Sequence, residues 1–198
     1  MTHSPQKPHM TPDAYLSWEE KQLERHEYLQ GTLRAMSGGG IEHNQIITNL
    51  VTEIQSRLKG TPCRSFTSSQ RVQSEGKQLY FYPDVGIYCG SPHRGIGDSI
   101  SNPKALFEVL SPSTEYYDRF EKFRHYQQIK SLYECFLVHQ DSALIEAFRR
   151  MEGEQWSVST HTLYMGLEAT LRIESVGIAL SLRDIFDGIE FANTEPSV

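Results

Sequence analysis

Apolar residues recur along this chain with two periods, and the switches between them mark its elements. Ile47, Leu50, Val51, Ile54 and Leu58 keep to one helical face, and Gly60-Thr61-Pro62 ends that run, which predicts a helix opened by His43. Thr11-Pro12-Asp13 is another helix start: Thr11 is placed to cap it, and Pro12 falls where a missing N–H costs nothing. Ala14, Leu16, Trp18 and Leu23 carry this helix to about Arg25. Glu27 to Met36 reads as two short strands around Gln30-Gly31, a hairpin whose Gly31 supplies positive φ. Cys63–Thr67, Gln70–Ser74 and Leu79–Tyr88 have strand character, with Glu75-Gly76 turning between the last two.

Ala105 to Leu110 is almost entirely apolar and of strand length, so it predicts a strand covered on both faces, with Glu108 as its exception. Pro112 breaks the chain. Ser113 or Thr114 then caps a helix on which Phe120, Phe123, Tyr126 and Ile129 form an apolar stripe, while Arg119, Lys122, Arg124 and His125 lie mostly elsewhere. Tyr133–His139 is the next apolar strand, so a βαβ-type crossover stands beside Glu108. Leu144–Arg150, Gln155–Thr160 and Ala169–Ile173 read as further strands, with Glu152-Gly153 turning the first into the second. Ser181 caps a short last helix through Leu182, Ile185 and Phe186. Ser91–Pro103 is a connector rich in Gly, Pro, Ser and Asn. Without repeat or linker, the pattern describes a single domain over residues 11–190 with polar tails at 1–10 and 191–198.

Length and composition agree with one soluble globular domain: 198 residues, 38% hydrophobic and 22% charged. No apolar stretch reaches the roughly 18 residues of a membrane span. The polar start shows no secretory signal, which makes the cytoplasm the expected location. Cys63, Cys89 and Cys135 are scattered without CxxC spacing, which argues against a disulfide framework or structural zinc and predicts buried thiols. The net charge of −6 means that any nucleic acid must be met through a local basic patch.

Three pieces of chain place charged residues against their local pattern. Asp84 follows Pro83 inside an apolar run; proline removes a ladder donor, so the point lies at an edge or bulge where an acid can face a cleft or simply sit in a surface turn. Glu108 within Leu-Phe-x-Val-Leu is costly unless paired or coordinating a cation. Carboxylates from neighbouring strands suit magnesium or manganese, whereas a structural pair to Arg64 or Arg71 is the other way to satisfy Glu108. Asp118 and Lys122, four apart, share a helical face, either as a solvated ion pair or with the lysine reaching the carboxylates. Ser37-Gly38-Gly39-Gly40 lacks the GKS or GKT ending of a phosphate-binding loop and reads as punctuation.

Pro83-Asp84, Glu108-Val109-Leu110-Ser111-Pro112-Ser113, and Asp118 with Lys122 and Tyr126 together resemble the PD-(D/E)xK nuclease superfamily, specifically its Uma-type restriction endonuclease family. His26 through Gly31, Met36 through His43, and Tyr133 through Val138 extend the resemblance to roughly Thr11–Phe186. It implies a restriction-endonuclease-like α/β (α+β) fold, a mixed central sheet flanked by helices with additional antiparallel strands. It also implies Asp84 and Glu108 as magnesium or manganese ligands, Glu27 as a further acid at the metal and Lys122 as catalytic lysine. His43 matches the family's histidine, able to contact a phosphate or move a proton, or else a plain helix-cap residue. The expected activity is metal-dependent endonucleolytic cleavage of DNA by a homodimer. Leu110 stands where the superfamily's lysine usually is, so Lys122 must take that role from the helix; Gln30 and His139 depart from acids of the family pattern. The alternative is a catalytically inert module that keeps the nuclease fold for binding or assembly. A carboxylate-pair glycosidase is poorly matched by Lys122.

Overall fold

The computed structural model describes residues 10–36, 38–74, 79–151, 156 and 161–191. The turns expected at Glu75-Gly76 and Glu152-Gly153, Ser37, nearly all of Gln155–Thr160 and most of both tails lie outside the described residues.

Helix α1 (Pro12–Glu19) starts as its sequence dictates, the Thr11 side chain accepting a hydrogen bond from the Ala14 N–H. It stops well short of Arg25, and Leu23 is fully exposed. Glu19, only 1% exposed, instead accepts the His26 N–H at 2.8 Å, which ties the helix end to the first strand. Gln30 and Gly31 both take positive φ, 47° and 99°, and join β1 (His26–Leu29) to β2 (Thr32–Ala35) with Glu27 directly opposite Arg34.

Helix α2 (Ile41–Arg57) begins two residues before His43, and Ile46, Leu50, Ile54 and the following Leu58 are fully buried, with Ile47 and Val51 on the flanks. Each buried side chain is worth about 1.5–3 kcal/mol, enough to fix the helix against a sheet. That sheet has six strands: β3 (Cys63–Thr67), β6 (Val85–Cys89), β7 (Pro103–Leu110), β8 (Glu134–His139), β9 (Leu144–Arg149) and β10 (Thr162–Met165), in the order β10-β9-β8-β7-β6-β3. Strands β7 and β8 run parallel, the expected crossover, and the other neighbours antiparallel. Ala105, Phe107 and Val109 of β7 pack into the core shared with α2, whereas Leu106 packs with Tyr126 on the opposite face, the one Glu108 also meets.

A four-stranded sheet, β2-β1-β5-β4, contains β4 (Val72–Ser74) and β5 (Leu79–Phe81). The strand expected over Leu79–Tyr88 is thus two strands in different sheets. Tyr82-Pro83-Asp84 carries the chain between them, because Pro83 has no N–H with which to continue a ladder. Strands β11 (Thr170–Ile173) and β12 (Ile178–Ser181) form a hairpin leading into α4 (Leu182–Ile185), where the Ser181 side chain accepts the Arg183 N–H at 3.1 Å, the expected cap.

The helix after Pro112 departs most from its periodicity. Its centre, Tyr117–Lys122, is π-helical and runs into α3 (Phe123–Tyr126), and the Phe123 N–H reaches the Asp118 carbonyl five residues back. The wider turn changes the inward face to Tyr117, Asp118, Lys122 and Tyr126, and leaves Phe120 57% exposed instead of in the stripe. The cysteine reading also changes: Cys63 and Cys89 face each other across β3 and β6 and form a disulfide, and Cys135 alone remains a buried thiol. Antiparallel register, invisible in their spacing of 26, makes them neighbours. Among the described residues no helix is long and apolar enough to cross a membrane.

Candidate active site

Glu27, His43, Asp84, Glu108, Asp118 and Lys122 all line one cavity of about 240 Å³, together with Arg34, Tyr117 and the Gly38-Gly39 loop. Five separate pieces of chain deliver them. Strand β1 brings Glu27, the first turn of α2 brings His43, and the corner between sheets brings Asp84. The buried strand β7 brings Glu108, and the π-helical turn brings Asp118 and Lys122.

Lys122 is the centre of the cluster. Its Nζ lies 3.0 Å from Glu108 Oε2, 3.0 Å from Glu27 Oε1 and 3.7 Å from Asp118 Oδ1. Being only 3% exposed, it belongs to no solvated surface pair. The Tyr126 hydroxyl donates to Glu108 Oε1 at 2.5 Å. Glu27 is held by the Tyr117 hydroxyl on Oε2 at 2.7 Å and the Tyr82 N–H on Oε1 at 3.2 Å. Asp84 Oδ2 accepts the Val109 N–H at 2.8 Å and lies 3.4 Å from His43 Nε2. Gly39 is needed here, because a Cβ on it would sit 2.1 Å from His43 Nδ1. The arginine pairing does not occur: Arg64 donates to the Thr61 and Cys63 carbonyls, and Arg71 to the Gly97 carbonyl and the Tyr82 hydroxyl.

Burial and repulsion set the protonation of the cluster. Desolvation lifts Glu108 well above the carboxylate range; Lys122 opposes this, while Asp118 and Asp84 add to it. Burial also raises Asp118. Burial would lower Lys122, but Glu108, Glu27 and Asp118 outweigh it and hold the ammonium charged well above its ordinary value. For His43, the hydrogen bond and charge of Asp84 likewise outweigh desolvation, so the ring titrates above 6.5. Beside the cluster, His139 and Arg119 both contact Glu146 Oε1, at 2.9 Å and 2.5 Å, and hold that carboxyl down to about 2 despite its burial.

As the side chains stand, no three His, Cys, Asp or Glu groups among the described residues are arranged to enclose a metal ion, since the Lys122 ammonium fills the space between Glu27 and Glu108. The donor chemistry nevertheless fits a hard divalent cation. Four carboxylates line the cavity beside one buried lysine, a set of hard oxygen donors of the kind such a cation takes. Sequence reasoning missed Arg34, Tyr117 and the Tyr82 N–H. The hairpin register, which sets Arg34 opposite Glu27, is the signal that could have found the first.

A family model described as "Uma2: Putative restriction endonuclease" matches residues 12–182. The "Uncharacterized protein slr1290" of Synechocystis sp. is 35% identical over 195 residues, covering 96% of this chain and 100% of that protein. The "Uncharacterized protein sll1609" of the same organism is 29% identical over 149 residues, 74% of this chain and 84% of its own. Among solved structures, the crystal structure of "a putative nuclease belonging to DUF820" from Anabaena variabilis superposes with a TM-score of 0.71 at 20% identity, over 89% of this chain and 97% of that one, and so shares its fold.

Proposed function

The chain belongs to the Uma2 family, and we propose that it is a magnesium- or manganese-dependent endonuclease that hydrolyses DNA phosphodiester bonds in the cytoplasm, working as a homodimer. The observation that carries the reading is the convergence of Glu27, Glu108 and Asp118 on Lys122, with Asp84 and His43 lining the same cavity. Asp84 and Glu108 would hold the ion, with Glu27 in support. When bound, it supplies charge neutralisation at the phosphate and a more acidic water.

The chain's own residues supply the rest. Hydrolysis forms one P–O bond from water, breaks another and delivers a proton to the leaving oxygen. Lys122, fixed as an ammonium by three carboxylates, offsets charge developing on a phosphoryl oxygen. His43, paired with Asp84 and held above its ordinary value, would be the group that gives the leaving oxygen its proton. Tyr117, Tyr126 and the Tyr82 N–H fix the two glutamates, so little reorganisation accompanies charge development.

One observation favours the inert binding or assembly module: Lys122 saturates the space between Glu27 and Glu108. Calorimetric titration with manganese and cleavage of supercoiled, linear and single-stranded DNA, each beside Asp84→Asn, separate the two readings. Manganese binding and cleavage, both lost in Asp84→Asn, are expected; a protein that neither binds the ion nor cuts any form is the module.

A further inference from the structure

We propose that Arg34 is a substrate-binding residue, a clamp for a phosphate of the bound nucleic acid beside the carboxylate cluster, with the Tyr117 ring holding its guanidinium flat. The proposal rests on the nuclease reading above and names a phosphate contact that the expected site lacked.

The tight Gln30-Gly31 turn sets the hairpin register, and the register puts Arg34 directly opposite Glu27. An arginine opposite a glutamate ordinarily pairs with it across the strands. Here it does not, because Lys122 and the Tyr82 N–H occupy Glu27 Oε1 and the Tyr117 hydroxyl occupies Oε2. Among the described residues no carboxylate lies within ion-pair distance of Arg34. Instead its guanidinium carbon sits 3.6 Å from the centroid of the Tyr117 ring, over the ring face. Tyr117 therefore does two tasks, its hydroxyl on the acid and its ring under the base.

Stacking of this kind covers one face of a guanidinium and leaves its in-plane N–H groups for another acceptor. The side chain is exposed and lines the same cavity as Glu27, Asp84, Glu108 and Lys122. Lys122, in contrast, is committed to three carboxylates, so among the described residues lining the cavity Arg34 is the permanent cation with donors to spare. A chain of net charge −6 must recruit a polyanion through a local cation. Two parallel N–H groups match two oxygens of a phosphodiester, a geometry that lysine cannot copy.

The test uses Arg34→Ala and Arg34→Lys in the full chain, with steady-state cleavage in magnesium. Alongside it, fluorescence anisotropy of a labelled duplex and a labelled single strand is measured in an Asp84→Asn background. Arg34→Ala should raise KM and the anisotropy Kd roughly ten- to a hundredfold while kcat falls less, and leave the melting temperature near that of the parent because the side chain is exposed. Arg34→Lys should recover only part of the loss. KM and Kd equal to the parent's in Arg34→Ala overturn the assignment, and full recovery by Arg34→Lys overturns the planar clamp. Failure of the unaltered protein to cleave or bind either DNA overturns the nuclease reading itself, and this proposal with it.

Discussion

Replacing Lys122 with methionine keeps most of the unbranched side chain, one atom shorter, and removes the charge on which the cluster converges. In the parent, the ammonium lies 3.0 Å from both Glu108 Oε2 and Glu27 Oε1. At an effective dielectric of about 20, each such contact is worth about 5 kcal/mol before desolvation, which consumes much of the gain. What remains measurable is the cost of leaving buried carboxylates without their partner, about 3–5 kcal/mol. For a chain of 198 residues, this lowers the melting temperature by roughly 6–20 °C. The loss also has a pH signature. Glu108 is already lifted by burial, and Lys122 is the main force opposing that lift. A carboxyl raised above its unfolded value favours the fold in acid and loses that contribution as pH rises through the folded value. Removing Lys122 lifts Glu108 further, so the gap between variant and parent should widen as pH rises through the parent's folded value for Glu108, and not in acid. Urea denaturation followed by circular dichroism across a pH series from acid to alkaline reads both effects. A variant within about 1 kcal/mol of the parent at pH 7.5, or a gap that widens in acid, refutes the buried-cluster reasoning.

Three further outcomes follow from the structure. The His43 ring should titrate above 6.5 by NMR and fall back in Asp84→Asn, because burial alone lowers it; its contribution to stability is full below the ordinary value and is lost as pH rises through the raised one. A ring whose titration ignores Asp84→Asn contradicts the 3.4 Å pairing. Thiol titration of protein denatured without reductant should count Cys135 alone, and all three cysteines after reduction. Replacing Cys63 and Cys89 with serine should cost about 3–4 kcal/mol, from reopening a loop of 26 residues. Three free thiols before reduction would remove the bridge from the account.

Element type was largely legible in the chain wherever a local pattern was strong. Thr11-Pro12 capped a helix, Gln30-Gly31 turned a hairpin, and the apolar run around Glu108 lay in a strand buried on both faces beside a parallel neighbour. Boundaries failed where a distant partner intervened: Glu19 ends α1 by reaching His26, and Pro83 divides one apparent strand between two sheets. The apolar stripe on the helix after Pro112 was right for Phe123, Tyr126 and Ile129, which pack in the core, and wrong for Phe120, because the face a side chain takes depends on the turn that carries it. A π-helical turn buried Lys122 and exposed Phe120.

The candidate site divides in the same way. Glu108 announced itself, since an acid in an apolar strand needs a partner whatever the fold, and Asp84 and Lys122 were visible as exceptions to their surroundings. Which partner each would find was decided only when strands distant in sequence met. Lys122 and Tyr126 took Glu108, in place of Arg64 or Arg71, and Glu27 joined Lys122 from a hairpin 95 residues earlier in the chain. Arg34 carries the same lesson, for its identity and strand were plain in the residues. Its freedom to meet a phosphate was not, because that depends on three groups from elsewhere already occupying Glu27. Local chemistry states what a residue requires, and long-range packing determines what is left to supply it.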